Sequence, residues 1–428
     1  MNSSFPILII LLSLATLHDQ LAWCATSPSF SRTLASIERN PLHHTQLNFD
    51  QFIKRQLRSD INQIEKQLSR LHQDLRLTRP PSPNLCEKLM LNQAEQTLAI
   101  SSERLDLLKK GIQAFDDNTI TLRNSKKWYL HWLKSWLRHP VTISTLEQIA
   151  VDEIKNAKQR KFVLEKASLP SQTSVIEGGQ HSRIVNAFRQ REKQILAHIP
   201  AILGSSYQPG KVRIAKSNYG INFPAPGVYQ TTTKTFFYHL QSDHLPVKQM
   251  DWLFIHEAVP GHHFFGEYAN NVALCREFGR ARGSTLFTEG WAAYTEELGT
   301  DLGLYSDIDS AMYALDWQEM RAVRVLIDIG IHFKKWSDEK AQSVWLQYLP
   351  HQHSIMNREI ARIKKWPVQV ITYVYGKAKV QSFIASQQYE FPQKTLPEIH
   401  KNILDLSNFS LEVLAYYHAN TSITQVRH

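Results

Sequence analysis

Residues 256–263, His-Glu-Ala-Val-Pro-Gly-His-His, gather three imidazoles and one carboxylate into a single short stretch. It follows the apolar run Trp252-Leu253-Phe254-Ile255. A buried helix that ends in His-Glu can deliver a nitrogen to a cation and set a carboxylate beside it. In the zinc motif His-Glu-x-x-His, two histidines four apart share one helix face and the glutamate acts as base. Here the fourth position after His256 is Pro260, which cannot ligate. His262 and His263 are the next candidates. At about 100° per residue an ideal helix returns His263 toward His256 and turns His262 away. Pro260 and Gly261 make the ideal helix a poor guide, because proline removes a helical hydrogen bond and glycine takes backbone angles that other residues avoid. The stretch reads as the zinc motif lengthened by two residues, with a distortion at Pro260-Gly261 that brings His262 round. The plain alternative is a turn with solvated histidines.

A second segment, Thr288-Glu289-Gly290-Trp291-Ala292, offers the third ligand. Two histidines, a glutamate and one open position form a known catalytic zinc set. Glu289 is expected to open a helix, with Thr288 or Ser284 as cap. Glu296 falls two turns later on the same face, as reserve ligand or as a support for one. The expected metal set is therefore zinc on His256, His262 and Glu289, with Glu257 as general base.

These residues resemble the bacterial domain-of-unknown-function family 885, which is similar to the gluzincin metallopeptidases. Two more blocks carry the resemblance. One is Arg321-Ala322-Val323-Arg324-Val325-Leu326-Ile327-Asp328-Ile329-Gly330-Ile331-His332. The other is Arg362, then Trp366-Pro367-Val368-Gln369 and Tyr373-Val374-Tyr375-Gly376-Lys377. The resemblance runs from about Pro226 to the C-terminus. It implies a mainly α, zincin-like metallopeptidase or carboxypeptidase, and it selects Tyr373 as donor to a developing oxyanion. From their helical spacing, Arg321 and Arg324 are candidates for a substrate carboxylate, which guanidinium binds through paired hydrogen bonds. His332 is a candidate for transition-state stabilisation. The bland reading of the same helix is a brace in which an arginine pairs with Asp328. Two rival functions keep the same residues: a hydrolase of non-peptide amides or esters, and a non-catalytic binding protein.

The elements that must position these groups are mostly helices. Apolar residues recur at three- and four-residue spacing from Thr45 to Leu75. Further helices are expected over about Cys86–Phe115, Lys126–Arg138, Thr145–Ala167, Ser182–His198 and Ser310–Trp336. Ser337 is expected to cap one through Tyr348. The exception is Tyr207–Tyr238, where prolines, glycines and β-branched runs point to a small sheet or extended loops. Such an edge beside a metal either holds a substrate backbone by strand addition or merely braces the helices. The expected organisation is a signal segment over 1–24, an N-terminal helical lobe over 25–205 and a metal-binding region over 206–428.

The apolar run from Phe5 to Leu17 has the length of a signal-peptide core and is too short for a bilayer span. An exported protein, periplasmic or secreted, is expected, with a lipid anchor on Cys24 the less favoured variant. With 428 residues, 43% hydrophobic and 21% charged, the chain can bury a large core. Its formal charge of +10 is spread through helical stretches. No nucleic-acid module accompanies that charge, so it reads as solvated surface and the expected partner is a peptide substrate. Beyond Cys24 there are only Cys86 and Cys275. In an exported chain the two could join.

Overall fold

Helix caps and apolar spacing set the architecture, and strands enter only where glycine and proline interrupt them. The computed structural model describes residues 27–40, 42, 60–112, 125–205, 207–220, 223, 225–276 and 285–417. The expected signal segment, residues 45–59 of the first expected helix, and Ser284 lie outside them.

Among the described residues five helices come first: α1 Pro28–Glu38, α2 Ile61–Thr78, α3 Leu85–Ile112, α4 Lys126–Leu137 and α5 Ile143–Glu165. Strand β1, Val175–Glu177, precedes α6, His181–Leu203. Then come β2 Arg213–Lys216, β3 Gly227–Gln230, β4 Thr235–Tyr238 and β5 His244–Pro246. The ligand-bearing part follows as α7 Met250–Glu257, α8 His262–Asn271 and α9 Thr285–Thr295. The chain closes with α10 Ile308–His332, α11 Asp338–Tyr348, α12 Met356–Lys365, α13 Ile371–Glu390 and α14 Leu396–Asp405. The fold is mainly α, as expected, and among the described residues no helix is long and apolar enough to cross a membrane.

Local chemistry explains the boundaries. Ser125, Thr142 and Ser337 each accept a backbone N–H from the first turn of α4, α5 and α11, freeing none of those donors to be stranded. The indoles of Trp128, Trp132 and Trp136, at four-residue steps on α4, are core side chains. One expectation is corrected by the start of α9. Glu289 does not open its helix: α9 starts at Thr285, so Thr288 is an interior residue and not a cap. The strand pair β1–β5, antiparallel, joins segments on either side of α6 and was not legible as a strand pattern.

The three-stranded sheet has the order β2-β4-β3, with β2 parallel and β3 antiparallel to the central strand. This leaves β3 at an edge, next to α7. The hydrophobic core runs through both the 25–205 and the 206–428 regions. α5 lies along α10, and α6 packs on α14. Tyr129 of α4 donates to Asp328 of α10 at 2.8 Å, tying the two regions at a buried point. A disulfide joins Cys86 at the start of α3 to Cys275 just after α8, with the Cα atoms 5.5 Å apart.

Candidate metal centre

α7 is buried along its whole length, so its last two residues emerge inside the protein. The helix stops at Glu257 because Ala258 leaves helical angles (φ −113°, ψ −92°). Backbone bonds then span six residues where a helix would span four. Gly261 N–H donates to Ile255 O at 2.9 Å and Phe264 N–H to Ala258 O at 3.1 Å. This wide turn is the two-residue lengthening. Glycine is required in it, since a Cβ at 261 would stand 2.0 Å from His256 O. Trp291 of α9 donates its indole N–H to Pro260 O at 2.8 Å, which fastens the turn to the helix that carries Glu289.

The turn delivers His262 to His256, with ring centroids 4.6 Å apart. Glu289 Oε2 lies 3.6 Å from His256 Nε2 and 3.4 Å from His262 Nε2. One ligand atom from each of the three residues lies within 4.8 Å of the others. The choice between the adjacent histidines is thereby made in geometry. His263 points away, fully buried, between Tyr229 Oη at 3.0 Å and Gly210 O at 2.6 Å.

The separations suit a small cation. Two ligand atoms about 2.0–2.1 Å from a tetrahedral zinc stand about 3.4 Å apart. Glu289 Oε2 and His262 Nδ1 are both buried without a hydrogen-bond partner, which is costly for polar atoms unless something else answers them. Charge points the same way. Burial pushes the Glu289 carboxyl up, but the imidazoles of His262 and His256 hold it well below the ordinary carboxylate range. Burial and the Arg321 charge push the His256 imidazolium down, yet Glu289 and Glu296 lift it to about 9. The attraction that holds protons among these groups would also hold a divalent cation.

Surrounding side chains fix the cluster. His256 Nδ1 is 2.7 Å from Glu296 Oε1, so its N–H donates there and Nε2 is left for the centre. Arg321 grips the same carboxylate through two hydrogen bonds of 2.6 Å. Its guanidinium lies 4.8 Å from the centroid of the Tyr373 ring. Tyr373 stands beside the cluster, its centroid 6.2 Å from that of His256. Its hydroxyl accepts from Gln369 Nε2 at 3.0 Å. Glu257 is anchored through Oε2, which accepts the Tyr229 N–H of edge strand β3 at 2.8 Å. A cavity of about 420 Å³ opens on Glu296, Arg321, Tyr373 and Lys377.

Not every expected residue arrives. Arg324 is fully buried and paired with Glu359 at 2.6 Å, so it is consumed within the core. His332 lies three turns beyond Arg321 on α10, about 16 Å along the axis at 1.5 Å per residue. There its Nε2 meets Ile363 O at 3.1 Å and its ring stacks on Tyr129, far from any oxyanion at the cluster. The expected arginine brace on Asp328 is also absent: Asp328 accepts from Tyr129 and from Val368 N–H. Periodicity placed these side chains on helix faces correctly but did not say which neighbour each face meets.

Sequence reasoning missed the crossing of α9 and α13. A Cβ on Gly290 would stand 2.5 Å from the Gly376 carbonyl carbon, and one on Gly376 would stand 2.5 Å from Leu286 O. The bare backbones therefore touch, and this contact sets Glu289 against Tyr373. The signal was present, since each glycine sits within three positions of a predicted site residue.

The comparisons with known proteins agree with the resemblance at the level of family. The model of the family described as "Bacterial protein of unknown function (DUF885)" matches residues 5–416. The chain belongs to this family. Two solved structures share its fold. The "putative lipoprotein" from Colwellia psychrerythraea has a TM-score of 0.58 and 18% identity, over 83% of this chain and 68% of its own. A "putative lipoprotein of unknown function" from Shewanella oneidensis has a TM-score of 0.55 and 16% identity, over 95% of this chain and 72% of its own. Among curated proteins none matches this DUF885 chain.

Proposed function

We propose that this DUF885 protein is an exported zinc-dependent hydrolase, a metallopeptidase or carboxypeptidase related in its metal motif to the gluzincins. The observation that carries the reading is the convergence of His256, His262 and Glu289, whose Oε2 is buried without a hydrogen-bond partner, with Glu257 following His256 directly in sequence. Binding alone gives no reason for a carboxylate beside such a centre. Export is supported by the Cys86–Cys275 disulfide, since such bonds persist in oxidising compartments.

Zinc, held by His256 Nε2, Glu289 and His262, would polarise water and a peptide carbonyl. The remaining work belongs to the chain. Glu257, one oxygen fixed by the Tyr229 N–H, uses the other to take the water proton and return it to the leaving amine. Tyr373 donates its hydroxyl hydrogen to the carbonyl oxygen as negative charge gathers there. Arg321 and Glu296 hold the His256 ring in the tautomer that leaves Nε2 unprotonated. The edge of β3 gives an extended peptide a backbone to lie along.

The test is Glu257→Gln, with zinc content measured alongside turnover of a mixed peptide library. Retained zinc with activity reduced by about 10²- to 10⁴-fold is the expected result for loss of a general base. Unchanged turnover would remove Glu257 from the mechanism.

A further inference from the structure

Three guanidinium groups face the Tyr373 side of the centre, from α10 and α12. Two are matched by carboxylates: Arg321 by Glu296 and Arg324 by Glu359. The third, Arg362, has no ion pair among the described residues. Its hydrogen-bond partners are neutral: Nη2 donates to Gln369 Oε1 at 3.2 Å, and the Tyr373 hydroxyl lies close by. Glu359 and Glu289 are near enough to attract Arg362, but Glu359 is engaged at 2.6 Å by Arg324 and Glu289 lies against His256 and His262. A guanidinium with no ion pair of its own keeps its fork of donors for an incoming anion. Arg362 and Gln369 are only half-buried, so an arriving anion can reach them.

Gln369 ties together the two groups that matter. Its Oε1 accepts from Arg362 and its Nε2 donates to Tyr373 Oη at 3.0 Å. The guanidinium and the hydroxyl are thus neighbours braced by one side-chain amide. An extended peptide advances about 3.5 Å per residue, so a chain whose cleaved carbonyl meets Tyr373 brings its end to Arg362 within one or two residues.

We propose that Arg362 receives the C-terminal carboxylate of the substrate, making the enzyme one that removes one or two residues from a free peptide end. The proposal rests on the hydrolase reading above and replaces Arg321 and Arg324, both already paired, as the carboxylate receptor. The carboxylate accepts two parallel N–H bonds from the guanidinium, and Gln369 holds the fork in plane.

The test compares acetyl-Ala-Ala-Ala with its C-terminal amide, for binding by calorimetry and for cleavage, in wild type, Arg362→Gln and Arg362→Lys. Wild type is expected to favour the acid in both assays. Arg362→Gln should lose about 100-fold more of the acid kcat/KM than of the amide kcat/KM, mainly through KM. Arg362→Lys should recover part of the acid preference, because charge returns without the fork. Equal losses on acid and amide in Arg362→Gln would make Arg362 a support for Tyr373 and overturn the proposal. Wild type that binds neither probe, or both alike, would overturn it as well. Acid-selective binding lost in Arg362→Gln, in a protein that cleaves neither probe, would sustain the receptor and sink the hydrolase. Unchanged zinc content and melting temperature in the variants exclude misfolding as the cause.

Discussion

Gly376→Ala is a test of whether the α9–α13 crossing positions the metal ligands. The new Cβ would sit 2.5 Å from Leu286 O and 2.7 Å from Gly290 Cα, both backbone atoms that no side-chain rotation can clear. Ordinary contact lies near 3.5 Å, so the helices must separate by about 1 Å. Overpacking of this kind costs about 1–3 kcal/mol, which lowers the Tm of a chain this size by roughly 1–3 °C. The larger effect should appear at the centre. Glu289 precedes Gly290 and would shift against His256 and His262, which ride on other helices. Zinc affinity should fall about 10- to 100-fold, the loss seen when groups that orient ligands are disturbed. Competition titration with a chelator and thermal unfolding of the metal-free protein give the two numbers. Gly179→Ala is the control, since a Cβ there meets nothing within 4 Å. If Gly376→Ala lowers Tm but leaves zinc affinity at the wild-type value, the crossing is ordinary packing and does not position Glu289.

His262→Ala should abolish tight zinc binding, whereas His263→Ala should keep the metal and lose stability, because it removes the buried hydrogen bonds to Tyr229 Oη and Gly210 O; zinc content against Tm separates the two. Acidification should destabilise the protein through His400, whose imidazole is buried between Tyr294 Oη and Ile202 O. Burial lowers its pKa from 6.5 to about 4. The folded form therefore resists the proton that the unfolded chain takes up, so stability is full above pH 6.5 and declines as pH falls toward 4. The decline from this group is roughly 3 kcal/mol. Denaturant midpoints measured across that range should flatten in His400→Asn, and an unchanged slope would refute the assignment.

The candidate ligands were legible because their signal is local. His256-Glu257 behind an apolar run, and Glu289 with Glu296 two turns on, are statements about neighbours in sequence, and the structure brings them together. Ser337 likewise caps α11 as expected, and Cys86 joins Cys275, a pairing that the sequence left open. Pairings between helices were not legible. Arg324, Asp328 and His332 lie on the expected faces, but their partners Glu359, Tyr129 and Ile363 come from other helices. Arg362 was named only as part of a family block, because what singles it out is that it makes no ion pair among the described residues, which no linear pattern records. His262 and His263 stayed open for a similar reason: a helical wheel presumes bonds four residues apart, and the turn closes across six.

That wide turn bears on how other chains of this kind are recognised. A scan for histidines four positions apart passes over this one, although its imidazoles meet a carboxylate at the distances a zinc ion would impose. The portable signature is a proline-glycine pair between the histidines together with a downstream tryptophan whose indole clasps the proline carbonyl, as Trp291 does here. Sequences carrying both deserve metal assays even where the familiar spacing is missing.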